Sequence, residues 1–243
     1  MTLKDYVTIL LSGFAFILSL TATAISLRQK KYEIERTLRS QLTDAIGKLN
    51  TAFESIEKLR LEKFDIWGTP PLANMRSFYN GQKLFYAKQA IYVAEQIPKL
   101  VSDAEYNSIA RAFSDLDDEN TAFRYYELAI AAATTSISKA TNLRGYARLL
   151  LRNGQEELGR KRFSEALELV SDGTDSAHWF RAETLQRWAQ IEAEFCETTS
   201  ADLFDKAEKE FNRIFFPSRR TEGLINLQSV RKNAMNWQEK IDK

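Results

Sequence analysis

The chain repeats itself over residues 104–169, which read AEYNSIARAFSDLDDENTAFRYYELAIAAATTSISKATNLRGYARLLLRNGQEELGRKRFSEALEL. An offset of 37 residues places large side chains on large ones and small side chains on small ones. The matched pairs are Tyr106 and Leu143, Ala110 and Ala147, Phe113 and Leu150, Ala122 and Gly159, Tyr126 and Phe163, and Ala129 and Ala166. Because size is preserved more closely than residue type, the repeat indicates a packing unit that is used twice.

This size pattern resembles the tetratricopeptide repeat, a unit of two antiparallel helices with small residues where the helices cross. The resemblance implies an all-α solenoid of helix pairs that holds a protein partner, with clear repeats at residues 104–135 and 141–171. The usual unit has about 34 residues. The offset of 37 therefore places the extra residues in the second helix or in the loop that follows it.

Composition limits the classes of protein that need to be considered. With 243 residues, 44% of them apolar, the chain can build one or two domains with a real core. The net charge of +1 creates no field that favours nucleic acid as a partner. The single cysteine, Cys196, excludes an internal disulfide framework and is expected to be a half-buried apolar residue.

The N-terminal segment predicts a membrane anchor. Residues 6–27 contain no charged residue, and 22 helical residues at about 1.5 Å each span the ~30 Å hydrocarbon core of a bilayer. The competing interpretation is a cleaved signal peptide, since Ala22, Thr23 and Ala24 have the small-x-small form of a cleavage site. The apolar run continues through Ile25 and Leu27, which favours an uncleaved, single transmembrane helix.

Basic residues on the carboxyl side of this segment predict its orientation. Lys4 precedes the segment, whereas Arg28, Lys30, Lys31 and Arg36 follow it. The positive-inside tendency therefore places the C-terminal part of the chain in the cytoplasm. The same four residues could also hold anionic lipid headgroups, although setting the topology is the simpler role.

Residues 28–66 predict a juxtamembrane helical stalk. Apolar residues recur there in steps of three and four, which is the spacing of a helical stripe. They are Ile34, Leu38, Leu42, Ile46, Leu49, Phe53, Ile56 and Leu59. The stripe could form a coiled coil between copies of the chain or pack within its own chain. The early steps of four favour packing within the chain.

Residues 67–243 predict the repeat domain. Trp67, Gly68, Thr69, Pro70 and Pro71 form the clearest boundary, because a double proline removes two backbone donors. A helix over about residues 75–96 follows as half of a degenerate first repeat, and Ser102 with Glu105 forms a capping box that opens the strong repeat.

A further degenerate repeat spans about residues 176–215, and a terminal helix over about residues 222–240 covers the end of the solenoid. Glu192 occupies a position of this degenerate repeat where the family has a large apolar residue.

No catalytic constellation is recognisable in the sequence. The one histidine, His178, opens a predicted helix and is expected to be a surface or capping residue. Asp115, Asp117 and Asp118 lie in the turn between two repeat helices, where solvation explains them without a metal. Glycine is too sparse for a phosphate-binding loop. We therefore expect no enzyme activity, no cofactor and no metal site.

The resemblance implies that the first helix of each unit lines a concave groove. Mapped onto this chain, the groove positions are Asn107, Arg111, Ser114 and Asp115 in the first unit and Arg144, Arg148, Leu151 and Arg152 in the second. Arginine forks can hold carboxylates bidentately, so an acidic or carboxyl-terminal peptide is the expected ligand. The alternative is that these arginines form salt bridges with Glu119, Glu156 or other acids on a solvated face. Gly145 stands where chaperone-binding members of the family have a basic clamp residue, so we do not expect chaperone binding.

Two functions are consistent with these features. The leading hypothesis is a membrane-anchored, non-enzymatic adaptor that grips a cytoplasmic protein or peptide. The alternative is an oligomeric membrane sensor or effector, in which copies associate through the anchor and stalk and the repeats transmit a trigger to the membrane helix.

Overall fold

The computed structural model describes residues 3–63, 69–194 and 197–241. These residues form nine α-helices and one 3₁₀ turn, Pro98–Leu100, and they contain no strand, which confirms the predicted all-α class. The helices are α1 Leu3–Glu62, α2 Pro70–Ala94, α3 Asp103–Ser114, α4 Glu119–Ala132, α5 Ser136–Arg152, α6 Glu156–Glu168, α7 Asp175–Glu192, α8 Glu197–Asn212 and α9 Pro217–Ile241.

The chain divides into two compact units, Met1–Leu100 and Val101–Lys243. Helix α2 packs against α1 and belongs to the first unit, whereas the sequence placed this segment with the repeats from residue 67 onward. The physical reason is that the apolar stripe of α1 needs a partner, and α2 supplies one.

The first unit is a long helical hairpin. The α1 stripe is buried at Leu42, Leu49 and Leu59, and α2 contributes Ala87 and Ala90 to the core. Ile34, at the start of the predicted stripe, is exposed. From Leu42 onward the stripe therefore packs within the chain, whereas its first residue does not.

Both prolines of the predicted break lie inside a helix. Thr69 is the N-cap of α2 in an extended conformation, and Pro70 and Pro71 occupy its first positions. The backbone N–H groups of the first helical turn have no acceptor within the helix. A proline there therefore removes no helical hydrogen bond. Pro217 opens α9 in the same way, ahead of the predicted start at residue 222. Trp67 and Gly68 lie outside the described residues.

Among the described residues, no helix combines the length and apolarity needed to cross a membrane. The side chains of residues 6–13 and of Ala15, which belong to the predicted anchor, lie outside the described set. The anchor side chains that are described, from Phe14 to Leu27, are exposed on α1.

The second unit is built from packed helix pairs, α3 with α4, α5 with α6 and α7 with α8. The small residues of the repeat lie where these helices meet, and Ala110, Ala122, Ala129, Ala147 and Ala166 are fully buried. This repeat-like packing of helix pairs fits an α-solenoid. The α5 helix begins at Ser136, ahead of the predicted 141, because Thr135 and Ser138 form a capping box there.

Gly159 lies at a close approach between α5 and α6. A Cβ atom at this position would lie 2.7 Å from Leu151 Cγ and 3.1 Å from the backbone oxygen of Ala147. Leu151 is fully buried in a core cluster. The crossing of these two helices therefore depends on the absence of a side chain at residue 159.

The third pair and the last helix share one core. Ala189 of α7 packs with Ala207 and Phe211 of α8 and with Ile214, which follows α8, and all four are fully buried. Leu227 of α9 joins the same cluster and covers one side of the pair. The sequence predicted that the terminal helix covers the end of the solenoid, and that role stays a prediction.

The turns between helices are held by side-chain caps. The predicted capping box is confirmed, since the Ser102 backbone N–H donates to Glu105 Oε2 at 2.8 Å and the Glu105 N–H donates to Ser102 Oγ at 3.3 Å. Asp118 accepts from the backbone N–H of Thr121 as the N-cap of α4. At least one acid of the turn after α3 therefore has a structural role as a helix cap.

Replacing Gly159 by valine tests the crossing. We expect Gly159→Val to lower the free energy of unfolding by about 1–3 kcal/mol, because the new side chain overpacks the α5–α6 contact. Urea unfolding followed by circular dichroism measures the loss. The matched control is Ser164→Val, which puts the same side chain on an exposed face of α6 and should change stability by less than about 0.5 kcal/mol. Equal stability of the two variants would contradict the close crossing.

Candidate functional site

A cavity of about 200 Å³ opens among the first helices of the three pairs. Helices α3, α5 and α7 supply its arginines, and α4 and α6 each add an aromatic ring. The lining residues are Asn107, Arg111, Tyr126, Thr141, Arg144, Gly145, Arg148, Phe163 and Arg187. We call this site the arginine cavity.

The structure brings together four of the eight predicted groove residues. Asn107, Arg111, Arg144 and Arg148 line the arginine cavity. Asp115 does not line it but lies beside it, with Oδ1 3.9 Å from the Arg148 guanidinium. The agreement follows from helical spacing, because Arg144 and Arg148 are one turn apart on α5.

Two other residues assigned to the groove lie elsewhere. Arg152 is exposed at the end of α5 and does not line the cavity. Leu151 is fully buried in a core cluster with Ala147, Phe163 and Ile191, so its assignment to the groove is wrong. Leu151 faces inward because it fills the space that Gly159 leaves open at the α5–α6 crossing.

Arg144 is the most constrained of the four arginines. Its side chain is 16% exposed, and its guanidinium lies 4.8 Å from the centre of the Phe180 ring on α7. Burial and the nearby charge of Arg187 lower the pKa of Arg144 to about 10, while Glu183 opposes them. Arg144 therefore keeps its charge at neutral pH although little water reaches it.

Tyr126 contributes a neutral donor to the cavity. Burial raises the pKa of its phenol above the usual value, and the positive charges of Arg148 and Arg111 only partly oppose this. Gly145 lets the ring lie flat on α5, because a Cβ there would be 2.7 Å from Tyr126 Cε1. The missing clamp side chain at Gly145 thus has a packing reason.

Arg187 is the lining residue that the sequence analysis missed. It lies on α7 and is exposed. The offset of 42 that aligns Leu185 with Leu143 also aligns Arg187 with Gly145. The basic residue that is absent from the second unit is thus present at the equivalent position of the third unit. The same alignment could have predicted Arg187 from the sequence.

Two of the cavity arginines lie near acids. Arg144 lies 3.6 Å from Glu183, and Arg148 lies 3.9 Å from Asp115. Both distances exceed the 2.7–3.2 Å of a good hydrogen bond. Glu156, one of the partners considered from the sequence, instead pairs with Arg160 at 3.1 Å.

An ion pair between the buried Glu192 and the partly exposed Arg160 supports the aromatic side of the cavity. The Phe163 ring stacks on Trp188 with centroids 5.2 Å apart and planes at 6°. The indole N–H of Trp188 donates to Glu192 Oε1 at 2.9 Å, and Arg160 donates to both Glu192 oxygens at 2.7 and 2.8 Å. Glu192 is fully buried, so these three bonds explain how a carboxylate replaces the expected apolar residue.

His178 takes part in a second ion cluster. Its Nδ1 lies 2.8 Å from Glu210 Oε2, and Arg181 and Arg213 approach the other oxygen of the same carboxylate at 3.3 and 3.0 Å. His178 therefore joins α7 to α8, rather than acting as the surface or capping residue that we expected. Among the described residues no group of acids, histidines and cysteines could hold a metal ion. Cys196 lies outside those residues.

Comparisons with protein-family models, with curated proteins and with solved structures found no match for this chain.

The support from Glu192 can be tested by Glu192→Gln. We expect this change to lower the free energy of unfolding by about 2–3 kcal/mol at pH 7, because it leaves Arg160 without its buried counter-charge. Burial alone would raise the pKa of Glu192, but the bonds from Arg160 and Trp188 outweigh burial and lower it below 4.5. The ionised carboxylate therefore stabilises the fold above about pH 4.5, and this contribution is lost as the pH falls further.

Urea titrations at pH 7 and pH 4 measure the effect, and the difference between wild type and variant should be smaller at pH 4. The control is Glu156→Gln, because Glu156 also pairs with Arg160 but is exposed. It should change stability by less than about 1 kcal/mol. If both variants lost the same free energy of unfolding, the burial of Glu192 would not explain its contribution to stability.

Proposed function

We propose that this protein is a membrane-anchored, non-enzymatic adaptor whose helix pairs bind an acidic segment of a cytoplasmic protein. One observation carries the proposal: four arginines from three successive helix pairs, Arg111, Arg144, Arg148 and Arg187, line one cavity. A partner segment lying across α3, α5 and α7 meets all of them. The resemblance to tetratricopeptide repeats supports the same use of the first helices.

The chemistry of the lining supports an anionic ligand. A hydrogen bond between charged partners contributes about 1.5–3 kcal/mol, roughly twice a neutral one. Phe180 beneath Arg144 and the low exposure of Arg144 reduce the entropy that its guanidinium loses on binding. Tyr126 adds a neutral hydroxyl that can orient the bound group.

The membrane part of the proposal rests on the N-terminal segment. Residues 6–27 lack charge, and Phe14, Phe16 and Leu27 are exposed on α1. Exposed apolar side chains of this size are what a bilayer would cover. The basic residues after Leu27 support a cytoplasmic location for the second unit.

Affinity capture of the full-length protein from its native membrane tests the adaptor. We expect partner proteins to bind the wild type and to be lost from the double variant Arg144→Glu with Arg148→Glu, because the reversed charges repel an acidic segment. The matched control reverses two exposed lysines of the same unit, Lys139→Glu with Lys161→Glu, and should retain the partners. If the partners still bind the arginine variant, the arginine cavity is not their binding site.

A second function is favoured by the continuity of α1. This helix runs without a break from Leu3 to Glu62, across the predicted anchor and the stalk. A continuous helix can transmit a rotation or shift where a flexible linker cannot, so an oligomeric membrane sensor is the alternative.

Crosslinking of the intact protein in membranes distinguishes the two functions. The sensor predicts dimers or larger species that change with the trigger, whereas a strict monomer under all conditions would leave only the adaptor.

A further inference from the structure

We propose that the chain forms a two-fold symmetric dimer through the outer face of α2, where the α2 helices of two copies pack antiparallel. This inference goes beyond the adaptor and does not depend on the arginine cavity, which belongs to the second unit. It follows from the spacing, the shape and the area of an exposed aromatic stripe in the first unit.

Helix α2 carries apolar residues on two opposite faces. Its inner face packs against α1 and buries Ala87 and Ala90, whereas its outer face exposes Phe78, Phe85 and Tyr92. Residues seven apart on a helix lie on one line, about 10.5 Å from each other, so the three rings form one row. We call these three residues the outer stripe. A helix that is apolar on both faces is typical of one that is covered on both sides.

The spacing of the outer stripe fits another helix. A step of seven residues is the period with which paired helices pack knobs into holes. Each knob is a side chain that enters a hole formed by four residues of the facing helix. The four residues of such a hole follow one another in steps of three, one and three. Phe78, Gly81, Gln82 and Phe85 have this spacing.

The structure shows an open hollow at these four residues. It has a volume of about 350 Å³ and is lined by Ser77, Phe78, Gly81, Gln82, Phe85 and Tyr86. Gly81 leaves it open, since even a Cβ atom there would meet nothing within 4 Å. An apolar cavity of about 150 Å³ is enough to bind benzene, so the hollow can accept an aromatic ring.

A second copy of the chain supplies rings that fit. If two α2 helices run antiparallel about a two-fold axis at the level of residue 83, Phe85 of each copy faces the hollow of the other. The same register sets Phe78 of each copy opposite the next hole, between Phe85 and Tyr92. A parallel two-fold pair would set Gln82 against the hollow instead. The outer stripe is therefore complementary to itself in the antiparallel pair, as a two-fold interface requires.

The exposed area is also close to what a dimer needs. Phe78, Phe85 and Tyr92 are 61%, 65% and 70% exposed. Since an aromatic side chain buries about 150–250 Å² when it is fully covered, the three rings offer roughly 400 Å² of apolar area per copy. A standard interface buries about 800 Å² on each partner, of which about 450 Å² is apolar. The outer stripe supplies most of this apolar area.

Analytical ultracentrifugation of the full chain tests the dimer. The two α1 helices of an antiparallel pair point in opposite directions, so the measurement uses a mild non-ionic detergent, in which both copies can turn freely. We expect a monomer–dimer equilibrium. A strict monomer up to about 100 µM would overturn the proposal, because it corresponds to an association too weak for a specific interface.

Filling the hollow with a side chain should separate dimerisation from folding. We expect Gly81→Leu to keep or raise the stability of the chain, because the position is open and leucine favours a helix more than glycine does. It should weaken the dimer by at least about tenfold, because the leucine occupies the space that Phe85 of the other copy needs. Gly47→Leu, at an equally open position on α1, should change the dimer dissociation constant by less than about twofold. Equal dissociation constants of the two variants would overturn the proposal.

Removing a ring tests the outer stripe itself. Phe85→Gln replaces an exposed side chain and should preserve the fold, which circular dichroism verifies. We expect it to weaken the dimer by at least about tenfold, since the two-fold axis removes two rings at once. The control is Phe215→Gln, which removes an exposed ring of the second unit and should leave the dimer unchanged. If the chain is monomeric and Phe85→Gln loses a captured protein, that protein covers the outer stripe and the dimer is refuted.

Spin labels at Asn74 determine the orientation of the two helices. The variant carries Asn74→Cys together with Cys196→Ser, so that the label has a single site of attachment. Asn74 is exposed and lies nine residues from the level of the proposed axis. Two labels in the antiparallel dimer should therefore be about 30 Å apart, whereas in a parallel dimer they would be about 10 Å apart. The shorter distance would overturn the proposal.

Discussion

The second unit depends on small side chains at the places where its helices cross. Ala122 and Gly159 occupy matching positions in two successive pairs, and the space beside Gly159 is too narrow for a methyl group. Such a crossing brings two backbones close together and leaves the larger residues around it to interlock. Leu151 packs into the space that Gly159 leaves open.

The arginine cavity is a product of the same packing. Tyr126 reaches the cavity because Gly145 lets its ring lie on α5, and Phe163 is held there by stacking on Trp188. Behind Trp188, the buried pair of Glu192 and Arg160 joins α7 to α6. Aromatic rings therefore form part of the cavity wall, and Arg144 lies against a further ring, that of Phe180.

Much of this architecture could be predicted from the sequence, because the packing of neighbouring helices produces a local pattern of small and large residues. The spacing of alanines and aromatic residues predicted the pairs, and Ser102 with Glu105 predicted the start of α3. Contacts between distant segments produce no such local pattern. Nothing near Pro70 tells whether α2 pairs with α1 or with a repeat, and a proline can end one helix or begin the next.

The site was predictable to the extent that it repeats. Arg144 and Arg148 follow from the first helix of their unit, whereas Leu151 was misassigned because a one-residue step on a helix turns a side chain by about 100° from groove to core. Arg187 was missed since the third unit has a different offset. Glu192 looked like a departure from the pattern until its partner Arg160, 32 residues away, explained it.

The arginine cavity straddles the boundaries between helix pairs, and this has a consequence for unfolding. Stacked pairs contact mainly their neighbours, so such a protein can fray from one end without losing the rest. A ligand that touches α3, α5 and α7 together binds only when three pairs are in place, and it stabilises that arrangement by mass action. Helix pairs that otherwise unfold one after another would thus unfold together when the ligand is bound.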